Sequence, residues 1–248
     1  MVALNWREEG ELRWLEAKLP SATVCFTGRT GGVSEVPFDT LNLGVLTEDD
    51  RAGVIENRRR LAAALEIDGE RVAMGLQVHG SDLAFHDEGP VAPHYLDPGD
   101  PPAEVDGHVT RTPALPMMVL VADCLPVALT GPDGLAMLHC GWRGLAGSIV
   151  ADGAERVAAT DAVIGPGIGP CCFEVGEEVF EAFADLGPGL RQGRNLDLWE
   201  VARRRLERAG VERVETAAIC TSCDPDNFFS HRRDAGKTGR QAGLAWLN

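Results

Sequence analysis

What this chain lacks narrows its class first. Its longest apolar run, residues 117–122, stops at Asp123, with Pro126 close behind. A membrane-spanning helix needs roughly 20 apolar residues in succession, so none is expected. The opening stretch Met1-Val2-Ala3-Leu4-Asn5-Trp6-Arg7-Glu8 has no basic segment followed by an apolar one, so no export signal is read there. Positive charge is scarce: 23 Lys plus Arg stand against 38 Asp plus Glu, a net charge of −15. Phosphate-backbone binding needs a cationic surface, which argues against a nucleic-acid partner. Lysine is nearly missing, with Lys18 and Lys237 beside an otherwise all-arginine basic set. That skew carries no functional weight. No repeat of fixed period and no Ser/Gly or Pro linker divides the chain. With 29 Gly and 15 Pro among 248 residues, it is not a low-complexity or disordered sequence.

What is present is ordinary globular material, 44% hydrophobic and 25% charged, long enough to bury a large core. A single domain over 1–248 is expected. The seven cysteines are an odd number without an export signal, which fits reduced thiols in the cytoplasm.

Short apolar runs rich in β-branched residues recur at 22–27, 72–78, 117–122, 127–130, 135–138, 162–164 and 214–219, and these predict strands. Helical spacing appears at 50–65, where Val54, Arg58, Leu61 and Leu65 share a face behind an Asp49 or Asp50 cap. It recurs at 148–159, 176–186 and 197–209, the last stopped by Gly210. Residues 117–138 hold three predicted strands with only turns between them, so antiparallel pairing is required. The loop at 87–104, with five prolines, reads as a surface excursion. The fold class is α/β or α+β, a single domain of mixed sheets.

Three chemically capable residues follow predicted strands: His79 after 72–78, Cys124 after 117–122 and His139 after 135–138. Neighbouring strand ends in one sheet lie about 5 Å apart, so three such side chains can converge. Two His and one Cys form a three-ligand zinc set that leaves the fourth position open. A buried Cys is as often a small hydrophobe, and a lone His a satisfied polar group. Gly80, Gly141 and Gly144 beside the histidines fit tight backbone packing at a site, and Asp123 adds an adjacent carboxylate.

These residues carry a resemblance. Gln77-Val78-His79-Gly80, Ala122-Asp123-Cys124-x-Pro126, His139-Cys140-Gly141-Trp142-Arg143-Gly144 and Gly165-Pro166-Gly167-Ile168-Gly169-Pro170 are similar to motifs of the laccase-domain (YfiH-type) family. So are Phe26-Thr27-Gly28-Arg29-Thr30-Gly31-Gly32-Val33-Ser34, Leu41-Asn42-Leu43-Gly44, Glu56-Asn57-Arg58, Phe228-Phe229-Ser230-His231-Arg232-Arg233 and Thr238-Gly239-Arg240. Members of that family are labelled multicopper polyphenol oxidoreductases or purine nucleoside phosphorylases. The resemblance implies His79, Cys124 and His139 as ligands of one metal, zinc, with copper as the alternative. It also implies layered sheets flanked by helices, similar to an α/β/β/α toxin-deamidase sandwich. Many relatives carry His-Val-Gly where this chain has Leu46-Thr47-Glu48, so no role is carried over to that stretch.

A multicopper oxidase needs many imidazoles, typically in His-x-His pairs, whereas this chain has six His and no such pair. The resemblance points to phosphorolysis of adenosine, inosine and methylthioadenosine, with adenosine deamination as a second activity. An open zinc site lowers the pKa of bound water to about 7, chemistry that suits attack at C6 of adenine. Catalytic roles fall to Cys124, His79, His139 and Asp123, the last as proton shuttle. Phosphate is expected at arginines, with Arg29, Arg58, Arg143 and the Arg232/Arg233/Lys237/Arg240 group as donors. With Asn42 and Gln77, Arg29, Arg58 and Arg143 make the expected substrate-binding set. The expected partners are a nucleoside and phosphate, with no membrane, acting on a monomer. Alternatives are a metal-free Cys–His hydrolase or deamidase, copper-dependent polyphenol oxidation, and a cell-wall quality-control role. The loop-like 231–238, the glycines of 165–170, His86-Asp87-Glu88 and Cys220-x-x-Cys223 read as structural; Cys140, Cys171 and Cys172 are assigned no chemistry.

Overall fold

The computed structural model of the chain describes residues 3–87, 94–96, 99 and 102–248. The strands in chain order are β1 (Asn5–Glu9), β2 (Leu12–Lys18), β3 (Ala22–Thr27), β4 (Leu83–Phe85), β5 (Gly107–Thr110), β6 (Met117–Val121) and β7 (Leu125–Gly131). They continue with β8 (Gly134–Cys140), β9 (Asp161–Ile164), β10 (Arg191–Gln192), β11 (Asn195–Leu196), β12 (Arg213–Thr216) and β13 (Gln241–Leu247). The helices are α1 (Arg51–Ala64), α2 (Trp142–Ala146), α3 (Ile149–Val157), α4 (Glu177–Glu181) and α5 (Leu198–Arg208).

Two large sheets result, ordered β1-β2-β3-β13-β6 and β12-β9-β7-β8-β5-β4. Their facing surfaces form one core, in which Val24, Phe26, Met117 and Val119 of the first meet Ala128, Leu135, Met137 and Val163 of the second. Alternate residues of the first sheet, Cys25, Met118 and Leu244, turn outward to pack with Leu61 and Ala62 of α1. The second sheet turns Val127, Leu129 and Leu138 outward to Ile149 and Ala154 of α3 and Val201 of α5. Each sheet is therefore covered on both faces, which is why β3 and β8 read as continuous apolar runs. The layers run helix, sheet, sheet, helix, as the resemblance implies.

Several expectations from the sequence are met at the residue level. Helix α1 begins at an Asp50 cap whose side chain accepts the Gly53 N–H, and α5 at Asp197, which accepts the Glu200 N–H. Gly210 follows α5 with φ +86°, the left-handed stop that glycine adopts without strain. The hairpin of β7 and β8 turns through Gly131-Pro132-Asp133-Gly134.

Others are corrected. Residues 72–78 do not form a strand; they touch the sheets through isolated bridges, Ala73 with Met117 and Leu76 with Glu104. Of the three predicted strands in 117–138, β6 lies in the other sheet and pairs with β13. The strand at 214–219 ends at Thr216, before Ala218 enters the left-handed region at φ +51°. The helix at 176–186 is a short α4 followed by a 3-10 turn at Ala184–Leu186. Most of the proline-rich loop at 87–104 lies outside the described residues.

Candidate active site

His79, Cys124 and His139 are brought together, their ligand atoms within 4.8 Å of one another. They do not come from strand ends of one sheet. Cys124 sits in the crossing from β6 in one sheet to β7 in the other, His139 is the penultimate residue of β8, and His79 lies on an irregular loop. The site marks the seam between the two layers.

Asp106, at the entry to β5, holds that loop. Its carboxylate accepts the backbone N–H groups of Val78 at 3.1 Å, His79 at 3.0 Å and Gly80 at 2.6 Å. The same carboxylate accepts His139 Nδ1 at 2.7 Å. Three convergent amides let His79 occupy φ +62°, an uncommon conformation for a side chain this size. Fixing Nδ1 of His139 leaves Nε2 to face the cluster, the orientation a metal-binding imidazole requires. The His79 and His139 rings meet edge to face, 4.9 Å between centroids.

Electrostatics fit a thiolate. Burial works against ionising Cys124, but the charge of His139 and hydrogen bonds from His139 and His79 prevail and lower its pKa to about 6. Burial likewise opposes a charged His139, and the Cys124 sulfur together with Asp106 raises it to about 9. By contrast burial pushes the neighbouring Cys140 thiol well up, leaving it an inert core residue.

Two imidazoles and a thiolate, with one imidazole anchored by a carboxylate, are the donor set of an open zinc site. A blue-copper reading wants a weak axial thioether. Met74 lines the cavity, but its sulfur accepts from Arg58 at 3.7 Å, while Met117, Met118 and Met137 are buried in the core.

The triad lines a cavity of about 760 Å³, within the range of small-molecule sites. Its charge opposes that of the whole chain. Among the described residues Arg51, Arg58, Arg143, Arg232 and Arg240 line it, against one acidic residue, Asp123. Arg143 stacks on Trp142, 4.4 Å to the ring centroid, and has no ion-pair partner among the described residues. Arg58 is fully buried; it donates to the Leu43 carbonyl at 2.9 Å and the Tyr95 carbonyl at 2.8 Å. Its Nη2 atom is buried with no partner among the described residues.

Other expected site residues hold different posts. Arg29 does not line the cavity; its guanidinium donates to the Asp39 and Pro225 carbonyls, pairs with Asp39 and stacks on Phe229. Asn42 is buried outside the cavity, donating to Thr47 and Asp49 and accepting from Gly44 and Arg240. Gln77 lines the cavity, yet its amide makes both bonds of a strand-like pair with Leu120. Asp123 also lines it, at φ +96°, its carboxylate accepting from Thr221 Oγ1 and the Arg232 N–H, both at 2.7 Å. Arg233 is engaged by Asp234, Thr221 and Phe228. Lys237 pairs with Glu48. Asp106 escaped the sequence reading, and its one signal was an acid directly before Gly107 and a buried strand.

A family model described as multi-copper polyphenol oxidoreductase laccase matches residues 23–248. The chain belongs to that family. Relatives of nearly the same length share it. A purine nucleoside phosphorylase of Pseudomonas aeruginosa is 35% identical, covering 94% of this chain and 98% of the relative. One from Streptomyces coelicolor is 39% identical, covering 90% and 94%. Among solved structures, YlmD from Geobacillus stearothermophilus superposes with a TM-score of 0.90 at 32% identity, covering 99% of this chain and all of that one. A Bacillus licheniformis protein described as hypothetical protein YfiH gives 0.88 at 31% identity, covering 98% and 99%. This family member is an enzyme, and its His–Cys–His group can hold a metal ion.

Proposed function

We propose that the protein is a zinc-dependent purine nucleoside phosphorylase. In this reading adenosine, inosine or methylthioadenosine reacts with phosphate to release the free base and a ribose 1-phosphate. The observation that carries it is the inverted charge of the cavity. Five arginines lining one pocket of a protein with net charge −15 make a receptor for a small anion, and guanidinium suits a tetrahedral oxyanion. The relatives named as purine nucleoside phosphorylases supply the substrate class.

His79, Cys124 and His139 would hold the zinc, with the open side toward the cavity. When bound, the metal supplies Lewis-acid polarisation of a substrate atom. The remaining work belongs to the chain itself. Arg143, without an ion-pair partner among the described residues, would receive the phosphate, and buried Arg58 adds its charge to the wall from beneath. The wall of Ile168, Phe173 and Trp142 gives the purine apolar surface and excludes water. As the bond between ribose and base breaks and phosphate oxygen takes its place on the sugar, the departing base needs a proton. Asp123, held by Thr221 and Arg232, is the carboxylate placed to carry it. Adenosine deamination is a second proposed activity of the same pocket. Cytoplasmic location and a monomeric state complete the reading.

The test is adenosine turnover by the purified protein with and without phosphate, alongside metal analysis of wild type and Cys124→Ala. Phosphate-dependent adenine and ribose 1-phosphate are expected, both lost in Cys124→Ala together with the one metal ion that His79, Cys124 and His139 would hold. Equal activity in a metal-free preparation would move the assignment to Cys–His covalent catalysis, and absence of nucleoside turnover would overturn it.

A further inference from the structure

A second group of ligand-competent side chains lies outside the triad. Cys171 and Cys172 follow the glycine-rich loop after β9, and Cys220 and Cys223 form a Cys-x-x-Cys turn after β12. Strands β9 and β12 are parallel neighbours, paired from Asp161 with Arg213 to Ile164 with Thr216. Their two following loops therefore leave the same edge of the sheet side by side, tied by a Gly167–Cys220 bridge. This register brings two cysteine pairs, some 50 residues apart in the chain, to one point.

All four sulfurs lie within 4.8 Å of one another. Cys223 Sγ is 3.4 Å from Cys171 Sγ and 3.3 Å from Cys172 Sγ. A zinc–thiolate bond of about 2.3 Å gives a tetrahedron of edge about 3.8 Å, so these sulfurs stand at the separations of a four-thiolate site. The grouping is too tight to surround a multi-iron cluster, whose ligands lie outside the cluster, and leaves room for one ion. A backbone amide already faces the group: the Gly169 N–H donates to Cys220 Sγ at 3.2 Å. None of the four is in a disulfide.

We propose that Cys171, Cys172, Cys220 and Cys223 form a closed, four-thiolate structural zinc site, distinct from the open His79–Cys124–His139 group. Four sulfur donors complete the tetrahedron and exclude water or substrate from the ion, which marks a structural site. Binding displaces the thiol protons to solvent. The site staples the loops that build one wall of the cavity. Phe173, next to Cys172, lines that wall, and Thr221, between the other two ligands, holds Asp123.

The experiment is metal analysis and X-ray absorption on the full-length Cys124→Ala protein, prepared under reducing conditions with zinc in the growth medium. Removing Cys124 disables the open site, so any zinc retained reports the second one whether or not the nucleoside reading survives. One zinc per chain with four sulfur neighbours is expected, and its loss on adding Cys220→Ser and Cys223→Ser. Cobalt in place of zinc in Cys124→Ala gives an independent reading through four-thiolate charge-transfer bands, without relying on the serine variants folding. A metal-free Cys124→Ala chain, iron in place of zinc, a chain lighter by the two hydrogens of a disulfide, or a zinc with nitrogen or oxygen neighbours would each overturn the proposal.

Discussion

Asp106 and His139 are joined twice. The Asp106 carboxylate accepts the imidazole Nδ1 at 2.7 Å, and the Asp106 backbone carbonyl accepts the His139 backbone N–H, also at 2.7 Å. One residue at the entry to β5 thus sets both the position and the ring orientation of a candidate metal ligand on β8. Asp106→Asn keeps the shape but removes the charge and offers one carbonyl oxygen for several donors. Metal affinity should fall by about 10- to 100-fold, the usual effect of losing such an outer partner, with the fold retained. Competition against a chelator measures it; unchanged affinity would show that His139 is oriented by packing alone.

Gly141 tests how closely the site is packed. Its φ of −76° is open to any residue, but an added methyl would sit 3.1 Å from Cys124 Sγ and 3.2 Å from His79 Cδ2. Gly141→Ala should therefore weaken metal binding and turnover about tenfold or more, while the melting temperature moves little. An equal loss of stability and activity would mean the backbone had shifted instead.

Arg58 and Arg143 should separate cleanly. Arg58→Met leaves the Leu43 and Tyr95 carbonyls without their buried donor, at about 1–3 kcal/mol each, so denaturant midpoints should drop markedly. Arg143→Ala removes, among the described residues, only the Trp142 stack and should stay within about 0.5 kcal/mol of wild type in stability. Its phosphate KM should instead rise about tenfold, the loss of one charge-assisted contact. Steady-state kinetics in varied phosphate distinguishes the two.

His108 makes folding acid-sensitive. It is buried, with Nδ1 on His86 Nε2 at 3.0 Å, and burial, reinforced by His86, lowers its pKa from 6.5 to about 3. Below about pH 6.5 the unfolded chain takes up a proton that the folded chain refuses. Stability should thus fall with pH, by up to about 1.4 kcal/mol per unit from this group, until the folded pKa is reached. His108→Gln keeps a hydrogen-bonding side chain and should flatten the dependence of melting temperature on pH between 6.5 and 4. Parallel curves for the two proteins would count against it.

Much of the frame was readable from local pattern. The β3, β7 and β8 runs, the Asp50 cap and the Gly210 stop depend on neighbours close in sequence, so periodicity finds them. That His79, Cys124 and His139 can gather into a group able to hold a metal was readable too, but the reason they converge was not. That reason is a carboxylate 27 residues beyond His79 whose partners are mostly backbone amides, and amides leave no mark in side-chain identity. Arg29 shows the opposite failure: a guanidinium flanked by turn residues resembled a ligand contact, while the structure uses it to tie loops through Asp39 and Pro225. Strand β13 escaped because Gln241-Ala242-Gly243-Leu244-Ala245-Trp246-Leu247 has no β-branched residue; the sheet on both sides selects its conformation.

Strand β13 also imposes an order in time. It lies between β3 and β6 and bonds to both, yet it is the last of these elements to be synthesised. A growing chain that has already made β3 and β6 therefore holds a vacant slot with two unpaired strand edges, open to pairing with another chain. The first layer closes only when Gln241–Leu247 threads between β3 and β6, both of which are translated before it. Nascent chains stalled before residue 241 should be the aggregation-prone species, and a supplied strand of the β13 sequence should protect them.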